Sequence, residues 1–206
     1  MAQSQPRTRL DLAFDALAAG DWNAAAQLAA AALQEAEDHR DNAEAALARF
    51  LYGTTLAGPE DAGPEQRDEA RRQLEAALPA LRAMEELELT GEALLLLGGL
   101  GMDEARARGG LDPLERCERH YREAAELLSG LDAPESLASA FHNLGLCLTA
   151  RVDREGDSRE ARRARLQDAI SCFHDALEVE LQNALPALAE ATERERQLAQ
   201  ELLDRS

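Results

Sequence analysis

The residues best able to do chemistry are three cysteines and the histidines near them. Cys117 and His120 stand three apart, Cys172 and His174 two apart. On a helix, positions three apart share a face and positions two apart do not, so Cys117 and His120 could offer a metal two ligands and would need two distant partners. Gly98-Gly99-Leu100-Gly101 has the glycine density of a phosphate loop. It lacks both G-K-[ST] and the third glycine of G-x-G-x-x-G, and it follows a helical pattern rather than a strand. Those glycines therefore read as helix packing and helix termination. The sequence contains no E-x2-H, H-E-x2-H or G-x-S-x-G, which removes the di-iron bundle and the common zinc and serine hydrolase signatures. No catalytic residue, cofactor or metal is assigned, and the expectation is a protein that is not an enzyme. A metal-dependent enzyme using the acidic surface with His or Cys is the alternative from another class.

A second feature is electrostatic. Arg159, Arg162, Arg163 and Arg165 face only Glu160, and residues 151–165 hold six arginines against four acids. Such a cluster is either an exposed helix start balanced by neighbouring glutamates or a dock for a phosphate or acidic peptide, which Arg grips bidentately.

Around these features the chain is strongly acidic. Its net charge is −18 over 206 residues, and all 22 basic residues are arginine. This surface repels phosphate backbones and anionic lipid, so nucleic-acid and membrane partners are not expected. The odd cysteine count, without C-x2-C spacing, indicates neither a disulfide framework nor a zinc knuckle and fits a reducing compartment. With no leader-like start and no apolar run near 20 residues, the protein is expected in the cytoplasm.

Ala, Leu, Arg and Glu dominate while strand-favouring residues are scarce, which is an all-α composition. Residues 1–5 are polar and expected to be disordered. Helices are expected over about 7–19, 22–38, 41–57 and 65–87, the last kinked or cut short by Pro79. Asp21 is placed to cap the second helix. A further helix is expected to be capped by Thr90 and to carry Leu94, Leu97 and Gly98, with its end left open by the glycines. Asp112-Pro113-Leu114-Glu115 and Asp132-Ala133-Pro134-Glu135 are start signals with Asp as cap. Helices over 137–150 and 166–179 follow. Beyond Gln182, a helix with Leu185, Leu188, Leu198 and Leu202 near one side runs to about residue 203.

Within 136–180, Phe141, Leu144, Gly145 and Leu148 share one helical face, and Ala169, Phe173, Ala176 and Leu177 share another. The composite F-x2-L-G-x2-L, a spacer, then A-x3-F-x2-A resembles the tetratricopeptide repeat, in which paired antiparallel helices pack small residues on large ones. The Gly20-Asp21-Trp22 turn is similar to the inter-helix turn of that family. Gly53, Gly98 and Gly145 lie 45 and 47 residues apart, and Ala25, Ala70, Cys117 and Ala169 lie 45, 47 and 52 apart. This near-constant period predicts a right-handed α-solenoid of about four helix pairs, over 7–40, 41–88, 90–130 and 133–182, with 183–206 as a terminal capping helix. The period exceeds the family's usual length, and the long spacers resemble those of repeats found near bacterial CHAT protease domains.

The resemblance implies a non-catalytic interaction module that binds a peptide or helix of a partner protein along the concave face of the first helices. On this chain that face would carry Leu47, Phe50 and Thr54, then Glu92, Leu95 and Gly99, then Ser139, His142, Asn143 and Leu146. Asn143 and His142 would contact partner backbone, while Phe50, Leu95 and Leu146 would supply buried area. An alternative implied by the spacers is a regulatory subunit of a CHAT-type defence or signalling system.

Overall fold

The computed structural model describes residues 7–59, 61–152 and 158–206, and among these every regular element is an α-helix. The chain divides into two compact units, Met1–Ala93 and Leu94–Ser206. The first unit holds α1 (Arg9–Ala18), α2 (Trp22–His39), α3 (Asn42–Ala57), α4 (Pro64–Ala83) and the start of α5 (Leu87–Arg108). The second holds the rest of α5, then α6 (Asp112–Leu128), α7 (Pro134–Val152), α8 (Arg159–Gln182) and α9 (Pro186–Arg205). Helices adjacent in sequence pack on one another: α1 on α2, α2 on α3 and α3 on α4 in the first unit, and α6 on α7, α7 on α8 and α8 on α9 in the second.

Helix starts follow local chemistry. Thr8 and Asp11 close a reciprocal capping box at α1. Asp21 accepts from the Ala24 amide at 3.0 Å, and Asp41 accepts from the amides of Ala43 and Glu44 at 3.1 and 3.0 Å. Each satisfies main-chain donors that the first helical turn leaves open. Three helix ends close through a non-glycine residue in the left-handed region, namely Arg40, Glu85 and Ala184 at φ of 58°, 58° and 56°.

Several expected boundaries move. Thr90 lies inside α5 rather than capping it; it is fully buried and donates to the Glu86 carbonyl at 2.7 Å. The glycines after Leu97 do not end α5, which continues to Arg108 and stops at Gly109 and Gly110, at φ of 74° and 93°. Asp112 is the first helical residue of α6, so Leu111 occupies the cap position with no side-chain bond. Asp132 likewise precedes the true boundary of α7, where the Leu137 amide bonds the Ala133 carbonyl at 3.0 Å. α4 runs through Pro79 and ends at Ala83, four residues short of the expected limit. Pro79 and Glu75 both sit on the exposed side, where water can take the main-chain bond that proline omits. α8 starts at Arg159, capped by Ser158, rather than at Leu166. The tail at 1–5 and spacer residues 153–157 lie outside the described residues.

The small residues that set the period have a common physical role. Ala25, Ala70, Cys117 and Ala169 are all fully buried. A Cβ built at Gly53 would lie 2.7 Å from Leu74 Cγ, one at Gly98 2.5 Å from Tyr121 Cζ, and one at Gly145 2.6 Å from Phe173 Cε1. In every pair the large residue lies four positions after the small one of the second helix, so glycine on one helix receives a bulky side chain from the next.

Candidate functional site

The second unit builds a cleft where α5 and α7 come together over α6. Met102, Ala105 and Arg106 line it from α5, Leu114 from α6, and Leu146, Thr149 and Ala150 from α7, enclosing about 230 Å³. Its base is buried, with Met102, Ala105 and Leu114 at 7%, 1% and 0% exposure, while Leu146, Thr149 and Ala150 are half-exposed and Arg106 is exposed at the rim. Thr149 turns its hydroxyl back to the Gly145 carbonyl at 2.9 Å, which leaves the α7 wall largely apolar. The floor exists because Gly101 lets α6 approach: a Cβ there would lie 2.6 Å from Cys117 Sγ. Glycines that look like helix breakers in sequence are therefore what brings α6 close.

Of the residues expected on the partner face, Leu146 lines this cleft, and Leu95 packs half-buried against the core beneath it. Gly99 has open space where a side chain would be. Ser139 and Asn143 are half-buried on α7. The Asn143 side chain makes no hydrogen bond among the described residues, so its amide remains available. Met102, Ala105, Arg106, Thr149 and Ala150 were not singled out in the sequence. Their spacing at 102, 105 and 106 and at 146, 149 and 150 is the helical signal that points to one face.

His142 is not a free groove residue. Its Nδ1 lies 2.9 Å from Thr192 Oγ1 of α9, and the Thr192 hydroxyl donates to Glu180 Oε1 of α8 at 2.8 Å. The ring also meets Phe173 edge-on, with centroids 5.8 Å apart and planes at 67°. Burial holds the His142 pKa below the usual imidazole value, against the pull of Glu180 and Glu195.

The first unit holds the remaining expected residues. Phe50, expected to supply contact area for a partner, is buried at 3% exposure. Leu47 and Thr54 are half-buried, the Thr54 hydroxyl donating to the Phe50 carbonyl at 2.8 Å. Glu92 is half-buried, and its pKa is raised by burial and by Glu88 one turn earlier. A separate cleft of about 500 Å³ in this unit is floored by alanines of α2, α3 and α4 beside Pro79 and rimmed by Arg40 and Arg49. Arg49 pairs with Glu37 at 2.5 Å.

The arginine cluster is largely occupied. Arg159 donates to the main-chain oxygen of Ser206, and Arg163 donates to that of Leu203 at 3.3 Å, so both meet the end of α9. Cations at a helix C-terminus satisfy its open carbonyls and oppose its dipole. Arg162 and Arg165 also have interaction partners in the chain. Arg159 and Arg163, two of the four residues of the expected anion dock, brace the end of α9 in this way. Between α6 and α7, Arg151 pairs with Glu118, and the two side chains are only 14% and 17% exposed.

Cys117 and Cys147 are buried beside each other in the second unit's core, and the Cys147 thiol donates to the Leu114 carbonyl at 3.2 Å. A hydrogen bond with Cys117, together with burial, holds the Cys147 thiol far above its usual range. Burial pushes Cys172 up to about 11. These effects keep the Cys147 and Cys172 sulfurs protonated at neutral pH. Among the described residues no cluster of three or more His, Cys, Asp or Glu could hold a metal ion, and no helix is long and apolar enough to cross a membrane.

The fold and cleft define an all-helical protein of packed neighbouring helices with a small, mostly apolar cleft in its second unit. No protein-family model matches the sequence, and no curated protein matches it.

Proposed function

We propose that this chain is a non-catalytic, tetratricopeptide-like interaction module, its hairpins stacked as a right-handed solenoid, which takes a helix or extended peptide of a partner protein on the α5–α7 face of the second unit. The observation that carries the reading is the cleft itself: an apolar base of Met102, Ala105 and Leu114, walled by half-exposed Leu146 and Ala150. At about 230 Å³ it suits one or two apolar side chains rather than a whole small-molecule ligand. The neighbouring Asn143 amide offers a donor and an acceptor to the main chain of an incoming segment. The matching glycine contacts at Gly53, Gly98 and Gly145 support the repeat assignment, since one packing solution recurs at the sequence period.

The test is site-specific photo-crosslinking in the native host. A photoreactive residue at Ala150 should trap a discrete partner, and one at exposed Glu201 should not. Adding Leu146→Glu should abolish the Ala150 product. Equal crosslinking at both positions, or indifference to Leu146→Glu, would show that the cleft is not the contact surface.

A further inference from the structure

Where α9 packs on α7 and α8, its buried side chains are mostly apolar. Ala189, Ala199 and Leu203 are buried there as expected of a packed helix, yet Thr192 and Glu180 are buried among them at 1% and 2% exposure. Burying a carboxylate and a hydroxyl costs desolvation that an apolar pair of equal size would avoid, so packing alone gives no reason for them. What the pair does is reach His142.

The direction of the hydrogen bonds follows from counting protons. Thr192 has one O–H, and it donates to Glu180 Oε1 at 2.8 Å. The Thr192 oxygen must then accept from His142 Nδ1 at 2.9 Å, which requires a proton on Nδ1. In the neutral ring Nε2 carries the lone pair, and among the described residues it has no partner. The edge contact with Phe173, itself wedged against Gly145, fixes the ring from a second side.

We propose that Glu180 and Thr192 are positioning residues that hold His142 in its Nδ1–H form and so leave Nε2 as a hydrogen-bond acceptor on α7, to be met by an N–H of the partner segment. This rests on the reading that α7 carries part of the partner surface. It adds to that reading a rule of polarity: beside Asn143, which can donate or accept, stands a position that only accepts. The charges facing the ring are Glu180 from α8 and Glu195 from α9. Both favour a protonated ring, in which Nε2 becomes a donor and the rule inverts, so acid should weaken capture of an N–H group.

The test needs no partner. The full chain labelled with 15N-histidine is titrated by NMR, reading which nitrogen of His142 carries the proton. The expected result at neutral pH is a protonated Nδ1 and a lone pair on Nε2, retained in Thr192→Ser and lost in Thr192→Val to the Nε2–H form favoured by free imidazole. Glu180→Gln keeps an acceptor for Thr192, so the tautomer should persist while the His142 titration midpoint falls by about one unit as a neighbouring negative charge is removed. A parent protein with the proton on Nε2, a Thr192→Val spectrum like the parent's, or a midpoint unmoved by Glu180→Gln would each overturn the proposal. Failure here leaves the crosslinking result at Ala150 standing, and failure of that crosslinking leaves the tautomer standing.

Discussion

Gly145 of α7 and Phe173 of α8 are in direct contact: a Cβ on the glycine would stand 2.6 Å from the ring, and Phe173 is 1% exposed. Gly99 of α5 is the contrasting case, because nothing lies within 4 Å of its virtual Cβ. In a helix interior Ala is favoured over Gly by about 1 kcal/mol. Gly99→Ala should therefore raise stability by about that amount. Gly145→Ala should instead lower it, because overpacking a closed core costs about 1–3 kcal/mol. Urea unfolding of the two variants gives opposite signs if glycine is retained for close approach.

Phe173→Ala should cost about 3–5 kcal/mol, since it removes a buried ring and leaves a cavity in the core shared with Tyr121, Leu144 and Leu148. Equilibrium denaturation measures this, and a loss near zero would contradict the burial.

The turn between α8 and α9 places Ala184 at φ 56°, where a Cβ is disfavoured by about 1–2 kcal/mol relative to glycine. Ala184→Gly should stabilise the protein by about 1 kcal/mol after the added chain entropy is subtracted. A thermal shift upward for this variant, with none for Gly63→Ala in open space, is the expected pattern.

Two groups give opposite pH dependences. Burial lowers the His142 pKa in the fold, so the unfolded chain binds the proton more readily. That contribution is complete above the ordinary value of 6.5 and is lost as pH falls through the depressed folded value, so His142→Gln should flatten the acid limb of the stability curve there. For Glu92 the pKa is raised, so its contribution is present below the ordinary 4.5 and lost as pH rises through the folded value. Glu92→Gln should raise the melting temperature at pH 7 and have little effect below pH 4.5.

Removing Arg163, whose guanidinium donates to Leu203 O, should loosen the last turn of α9 by about 0.3–1 kcal/mol. Hydrogen exchange in that turn should quicken in Arg163→Gln and slow again when Arg163→Lys restores a cation.

What this sequence determined by itself is local. The helices, the cap at Asp21, and the recurrence of small residues near every 45–52 positions follow from side chains acting within a turn or two of their own backbone. Gly101 could not be interpreted at that range, because whether a glycine ends a helix or admits a neighbour depends here on Cys117, which comes from another helix. The tertiary structure likewise decided that Phe50 faces inward and that Arg159 and Arg163 meet main-chain oxygens 47 and 40 residues away. It also joined His142 to a threonine 50 residues on. Periodicity tells which side of a helix is apolar, and only packing tells which distant helix that side will meet.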